Sequence, residues 1–443
     1  MHKRINDLSH CVRQFRKFTD KEVDKQQFET RIKACEACSS RSDTRCLQHS
    51  RVCADFAKLK EHWCEPWREV SPEGHQLKEW KNKFKGKKIR LGICMPTMSM
   101  GGVCRGLLTM MNAPVKHGIE WSGIAINNAG AFDPETAQRI LQHCPIYCTK
   151  DDSRFQGLVT IVDNACQIVV DGSDVVKLWG YIHSNDEIDA VDWSAKPILI
   201  VAHGQCDWTR KNLAVSLSKG SLCILASVSK GGVKCFPDAI QDQVKVVYNG
   251  VDFSRCAPAQ GRAQIRQEWG IDQNTRAVGY IGRFANDKNP LAAAEAVREL
   301  GTGYHAVYVG EGYQQEQIVK GVKKLCGDRV TFIPRVEDIG TMLAALDCMV
   351  LASPSEGGPM TVIESWLAEC PVVSTPVGMI PDLEAEHGPL TFGIPVDPSP
   401  WEVGEGVRRA VIGDERIERA RRLTWELFSS TRMVRGYEAL LRG

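Results

Sequence analysis

Two cations and two carboxylates stand at spacings that could hold a charged, hydroxyl-rich molecule. Arg283 and Lys288 lie five positions apart in "GRFANDKNP", across a loop short enough for both side chains to converge. Two cations brought to one point repel unless an anion sits between them. Each charge-assisted hydrogen bond to that anion contributes about 1.5–3 kcal/mol. A diphosphate suits such a pair; the plainer reading gives Lys288 to Asp287 or water and leaves Arg283 alone. A second anion-gripping element is the turn "EGGPMTVIE". Pro359 suits the first turn of a helix, where its missing N–H costs nothing. Gly357 and Gly358 let the backbone approach a ligand, and the amides that follow form a helix N-terminus. The helix dipole, worth about 0.3–1 kcal/mol, assists the Arg–Lys pair without replacing it. Glu356 and Glu364 avoid the phosphate and accept hydroxyl hydrogen bonds from sugar rings at either end, unless they are ordinary solvated charges. Ribose, diphosphate and hexose in that order are the layout of a nucleotide sugar.

Such residues need a scaffold of strand ends. From residue 88 onward short apolar runs alternate with helical patterns: "KKIRLGICMP", "WSGIAINN", "QIVVDGS", "KPILIVAHG", "SLCILASVS" and "VKVVYNGVD" read as strands of a first half. After a relaxed connection over 249–274 the alternation restarts with "TRAVGYIGR", "YHAVYVGEG", "RVTFIPR", "CMVLASP" and "PVVSTPV". Continuous apolar strands alternating with helices make parallel sheets buried on both faces. The expected fold class is α/β, with two Rossmann-like, doubly wound parallel-sheet domains and a cleft between. Expected boundaries are 1–88 for a basic, cysteine-bearing helical extension, 89–248 and 249–415 for the two domains, and 416–443 for a C-terminal helix. Ligands of open parallel sheets bind beyond the carboxyl ends of the strands. That rule singles out His203 in "AHG", Arg283 in "YIGR", Glu311 and Gly312 in "VGEG", and Glu356 with its glycines in "LASPSEGGP".

In order and spacing, "YNGVD", Arg283 with Lys288, "VGEG", Glu-x7-Glu in "EGGPMTVIE" and "PVVSTPVG" resemble the catalytic half of the retaining nucleotide-sugar glycosyltransferases of family 4, which have the GT-B fold. The first half is similar only in "GGVCRG" and "AHG". The resemblance implies a retaining, hexosyl-transferring enzyme whose first domain holds the acceptor and whose second binds the nucleotide-diphosphate sugar. It implies that Arg283 and Lys288 hold the departing diphosphate, Glu356 the transferred sugar and Glu364 the ribose. Gly357, Gly358, Pro359 and Met360 lend backbone, Gly102 lies over the diphosphate, and His203 lies near the transferred sugar. It also implies that transfer needs no metal. The chain departs from the family pattern at Glu369, where a glycine usually ends the helix, and at Met379 and Asp382, where a glycine and a glutamate are common.

The 443 residues are 43% apolar and 25% charged, which suits two or three globular domains. Residues 1–88 carry 21 Lys and Arg against 13 Asp and Glu, an excess of eight that leaves the remainder net negative. A solvated basic linker or an anionic partner accounts for it. Within that front, Cys35-x2-Cys38 has metal-ligand spacing, and Cys46, His49, Cys53 and Cys64 offer further ligands for a structural zinc. An iron–sulfur cluster and plain buried thiols are the alternatives. The other cysteines, such as Cys94, Cys223 and Cys348, sit in apolar runs and read as buried thiols of a reducing compartment. No run approaches the roughly 18 apolar residues of a membrane span, and the first thirty residues lack the apolar core of a secretory leader. The expectation is a cytoplasmic transferase. The acceptor, whether a glycan, a protein or a nucleic acid base, stays open, as does the oligomeric state. A nucleotide-sugar epimerase and a non-catalytic nucleotide-sugar binding module are the rival readings.

Overall fold

Ile89–Met95 buries every side chain except that of Arg90, as a central strand of a two-sided sheet must. The computed structural model, which describes residues 41–42, 45–46, 75–98, 101–126, 132–179, 190–204, 206–218 and 220–442, places this strand near the middle of an eight-stranded sheet. Across that sheet run Lys245–Val246, Cys223–Ser227, Ile198–Ala202, Val175–Leu178, Ile89–Met95, Ile119–Ile126, Ile146–Cys148 and Thr160–Ile161. All neighbours are parallel. The winding reverses between Ile89–Met95 and Val175–Leu178, which opens a crevice beyond their carboxyl ends.

The second sheet has six parallel strands: Val330–Ile333, Tyr304–Val309, Arg276–Ile281, Cys348–Leu351, Val372–Ser374 and Phe392–Gly393. Here the reversal falls between Arg276–Ile281 and Cys348–Leu351. The strands that end in Gly282-Arg283 and in Ala352-Ser353 therefore flank the crevice of this lobe. Each sheet is packed on both faces by apolar clusters, two per lobe. The architecture is GT-B: two Rossmann-like lobes, each built on a parallel sheet.

One expected strand is a helix. "QIVVDGS" belongs to Ala165–Gly172, whose start is capped by the Asn164 side chain accepting from the Gln167 amide. The sheet strand follows it as Val175–Leu178. The connection after residue 249 is also more ordered than a linker, since it contains the helix Arg262–Glu268 and contributes Val251, Cys256, Ile265 and Ile271 to the core of the second lobe.

The C-terminal tail is two helices serving different lobes. Arg416–Leu427 packs Ala420 and Leu423 into the second lobe. Ser430–Arg442 crosses back and packs Met433, Val434, Tyr437, Leu440 and Leu441 into the first. The outgoing and returning chains run side by side: the Val251 amide donates to the Phe428 carbonyl at 2.8 Å and the Ser430 amide to the Val251 carbonyl at 3.2 Å.

Of the proposed metal ligands, Cys35, Cys38, His49, Cys53 and Cys64 lie outside the described residues; Cys46 is described only as part of Arg45–Cys46, a short strand antiparallel to Arg41–Ser42. Among the described residues no three His, Cys, Asp or Glu side chains gather to hold a metal ion. Cys94 and Cys348 are buried, as expected, and Cys223 is partly exposed. Cys206 and Cys235 are instead joined in a disulfide, because the turn after Cys223–Ser227 brings Gly231–Cys235 beside the start of the helix Cys206–Ser218. No helix among the described residues is long and apolar enough to cross a membrane.

Candidate functional site between the two lobes

Arg283 leaves the strand Arg276–Ile281 after one glycine, and its carbonyl is anchored by the Tyr280 hydroxyl at 2.7 Å. Its guanidinium is half exposed and bonds Asp287 at 2.8 Å, with Tyr313 stacked 5.7 Å away. The short helical turn Asn286–Lys288 then presents Lys288, whose ammonium donates to Glu356 Oε1 at 2.7 Å. Asp287 thus pairs with Arg283 and not with Lys288. Glu311 and Gly312 serve the same loop as backbone: the Phe284 amide donates to the Glu311 carbonyl, and a Cβ on Gly312 would lie 2.3 Å from the Phe284 carbonyl oxygen.

Across the reversal, "SPSEGGP" runs from Cys348–Leu351 into the helix Met360–Leu367. Pro359 is the residue just before the first helical one, so the helix begins at Met360. Neither carboxylate is a solvated charge. Glu356 is 14% exposed in its pair with Lys288, and Glu364 is 6% exposed in a 2.8 Å pair with Arg255. Burial raises the Glu364 carboxyl above the usual range, with Arg255 and Arg105 pulling the other way.

The first lobe meets this turn directly. His203 and Gly204 follow the strand Ile198–Ala202, and their backbone lies against Glu356 and Gly357. A Cβ on Gly357 would sit 2.4 Å from the His203 carbonyl carbon. One on Gly204, whose φ is +94°, would sit 2.3 Å from the Gly357 amide. Only a pair of glycines permits this approach. The His203 ring stacks on Trp179 with centroids 5.2 Å apart, and its buried Nε2 has no hydrogen-bond partner in the protein; nor has Trp179 Nε1. Beneath the Trp179 ring lies Lys177, fully buried, its ammonium 3.3 Å from the ring centroid and 3.4 Å from the Tyr437 hydroxyl. Burial, and then the neighbouring Lys177, pushes His203 down to about 3, and burial alone lowers Lys177 well below the lysine range. Gly102 opens the helix Gly102–Met111 beyond the first strand, exposed and with nothing within 4 Å of where a Cβ would lie.

Further pairs span the cleft. Arg105 grips Glu337 with both terminal nitrogens, at 2.9 and 2.8 Å, and Arg139 adds a third bond at 2.8 Å. These arginines hold the Glu337 carboxyl down to about 2. Arg335 reaches Asp133 and Glu135, both at 2.9 Å. On the other flank the Gly231 amide donates to Asp382 at 2.6 Å, Lys230 pairs with Glu386, and Asn249 donates to the Gly358 carbonyl at 3.0 Å. Asp382, one of the departures from the family pattern, therefore ties the lobes. Met379 is buried beside it, and Glu369 takes the left-handed backbone (φ +57°) that a glycine would adopt freely.

The structure thus brings Lys288, Glu356, Gly357 and His203 into one contact region, with Arg283 on the same loop as Lys288 and Glu364 farther along the helix beside Arg255. Sequence reasoning missed Arg255, Glu337, Lys177 and Trp179. The one local signal was a lysine interrupting the apolar run "VVKLW".

Residues 261–422 match the sequence model of the family described as Glycosyl transferases group 1. The chain carries a glycosyl transferases group 1 domain. That domain covers the second lobe, with Arg283, Lys288, Glu356 and Glu364 inside it. The chain is 27% identical over 205 residues to the N-acetyl-alpha-D-glucosaminyl L-malate synthase of Bacillus anthracis, covering 44% of this chain and 53% of that protein. It is 28% identical over 235 residues to the D-inositol 3-phosphate glycosyltransferase of Segniliparus rotundus, covering 49% and 51%. The chain spans about half the length of these curated relatives. Among solved structures, Anabaena Alr3699/HepE in complex with UDP-glucose superposes with a TM-score of 0.63 at 19% identity, covering 80% of this chain and 99% of that one. WaaG, a glycosyltransferase involved in lipopolysaccharide biosynthesis, gives 0.55 at 14% identity, covering 80% and 100%. At such identities the superpositions speak for the GT-B fold of the glycosyl transferases group 1 domain and its partner lobe.

Proposed function

We propose that this chain is a retaining glycosyltransferase that moves a hexosyl group from a nucleotide-diphosphate sugar to an acceptor hydroxyl. The observation that carries the reading is the backbone contact of His203-Gly204 with Glu356-Gly357, which sets one lobe's strand end against the cation-bearing crevice of the other. In this reading Arg283 and Lys288 bind the diphosphate, and the amides after Gly357, Gly358 and Pro359 add N–H donors at the start of the Met360–Leu367 helix. Glu356 binds the transferred sugar and Glu364 the ribose. His203, neutral because of its burial, exchanges hydrogen bonds with a sugar hydroxyl and carries no charge. Gly102 stands over the diphosphate without a side chain in the way. The donor binds in the second lobe, 249–415, and the acceptor in the first, 89–248.

The chemistry is front-side displacement. The bond from the anomeric carbon to the diphosphate oxygen breaks, the acceptor hydroxyl attacks the same face, and its proton passes to the departing phosphate oxygen. Cations aimed at the charge that develops on the leaving group supply the main acceleration. No metal ion enters these steps.

A panel of nucleotide sugars, read out by release of nucleoside diphosphate with and without added glycan, protein and nucleic acid acceptors, tests the proposal. Release that depends on an acceptor, with retained anomeric configuration in the product, is the expected result. Interconversion of donors without an acceptor would favour an epimerase, and binding without turnover a non-catalytic module.

A further inference from the structure

Arg255 carries two tasks that a single guanidinium performs unequally. It lies on the turn Phe253–Cys256, just past the outgoing chain crossing at Val251. One terminal nitrogen bonds Glu364 at 2.8 Å, while its Nε is buried with no hydrogen-bond partner and stands 3.8 Å from Glu337. Glu337 belongs to the second lobe, in the loop between Val330–Ile333 and Ile339–Ala345, yet the groups bonded to it are Arg105 and Arg139 of the first. Ionic groups thus alternate in sign from the first lobe, through Glu337 and Arg255, to Glu364.

We infer that Arg255 and Glu337 are positioning residues that convey closure of the lobes to Glu364. The inference rests on the ribose assignment of Glu364 proposed above. With the lobes together, Arg105 and Arg139 satisfy the Glu337 carboxylate, and Arg255 is left to hold Glu364 ionised and fixed in rotation. With the lobes apart, Glu337 loses those partners and draws Arg255 across a gap that is already 3.8 Å. Glu364, already raised by its burial, then loses the hydrogen-bonded member of the two arginines, Arg255 and Arg105, that favour its charged form. A protonated or turned carboxyl accepts ribose hydroxyls poorly. Donor binding and closure accordingly favour one another, since each requires the same arrangement of Arg255.

The test is calorimetric titration of the full-length protein with UDP, ADP and GDP and with their 2′-deoxy forms. The wild type should prefer the ribonucleotide. Arg255→Met should cut affinity for that ribonucleotide by about ten- to hundredfold, the worth of a hydrogen bond to a charged group, and leave the deoxy form far less changed. Arg255→Lys should restore part of the preference. Arg105→Gln leaves Glu337 held by Arg139 alone and better able to compete for Arg255, besides removing a cation that favours charged Glu364, and should also erode the preference. Adding Glu337→Gln removes the competitor and should bring part of it back. A passive latch behaves otherwise, because two losses in one latch cannot outperform one. Arg139→Gln, with and without Glu337→Gln, repeats the comparison at a more exposed position should Arg105→Gln misfold.

A double variant no better than the single, or a preference untouched by Arg255→Met, would overturn the inference while leaving the donor reading intact. A wild type that binds these nucleotides without preferring ribose would remove both the Glu364 assignment and the inference. No binding of any nucleotide would remove the proposed function itself.

Discussion

Lys288 donates one of its three protons to Glu356 and keeps two for another partner. The pair therefore joins the proposed diphosphate site to the proposed sugar site through one hydrogen bond. Replacing Lys288 with Ala deprives the leaving group of a cation and leaves Glu356 unpaired. Turnover should fall by about 10²–10³-fold, the usual effect of losing one such donor, with Arg283→Ala similar. Acceptor-dependent nucleotide release measures the loss, and an unchanged melting temperature would show that the fold is intact. Near-normal turnover would remove both residues from the site. Lys177 makes a second case. Burial, and then the charge of Lys177, keep His203 neutral, so Lys177→Met should raise the His203 pKa only part of the way from about 3 toward the ordinary 6.5. Burial of the ring, which stacks on Trp179, is the larger cause and Lys177 the smaller. The sign for stability follows. A histidine depressed in the folded state binds its proton more readily when unfolded, so wild-type stability falls as pH drops from 6.5 through 3. Lys177→Met should flatten that fall, and the His203 ring resonances followed across pH would report it.

Among the elements, the glycine turns decide how near the lobes come. Gly357→Ala puts a methyl group 2.4 Å from the His203 backbone, which cannot give way as a flexible side chain does. The lobes must then separate, while the cores within each stay untouched. Transfer is expected to be lost with little change in melting temperature, and small-angle scattering should show a larger radius of gyration. Gly204→Ala suffers the same clash and adds the cost of its +94° backbone, so it should also lower stability. These turns were legible beforehand because strand ends, glycines and Glu-x7-Glu are local patterns. Five of the six strands of the second lobe were legible for the same reason, and the two-residue Phe392–Gly393 was not. Ile146–Cys148 and Thr160–Ile161 were not, since two or three residues show no period. "QIVV" reads equally well as strand or helix; the Asn164 cap decided it. Arg105–Glu337 and Arg255–Glu364, 232 and 109 positions apart, belong to the tertiary fold alone.

At the scale of the whole molecule, the cleft is closed by ionic contacts on both flanks and by a chain crossing between the lobes. Glu337 sets the acid limit of its own flank. Its carboxyl is depressed from 4.5 to about 2, so the stabilisation it confers is complete above about 4.5 and lost as pH falls toward 2. Wild type should thus open across that window, which scattering can follow, and Glu337→Gln should show a smaller change there. The returning helix matters as much. Leu441, two residues from the chain end, is fully buried in the first lobe. Leu441→Ala should cost about 2–5 kcal/mol, as a chemical denaturation curve would show, although the family match ends at residue 422.

The twin crossings at Val251 and Phe428–Ser430 have a mechanical outcome. Two adjacent straps allow the halves to swing like a door yet resist twisting. A protease cut through either strap would leave a particle that still sediments as one, its pieces tethered by the uncut connection. Severing both would be needed to set the halves free.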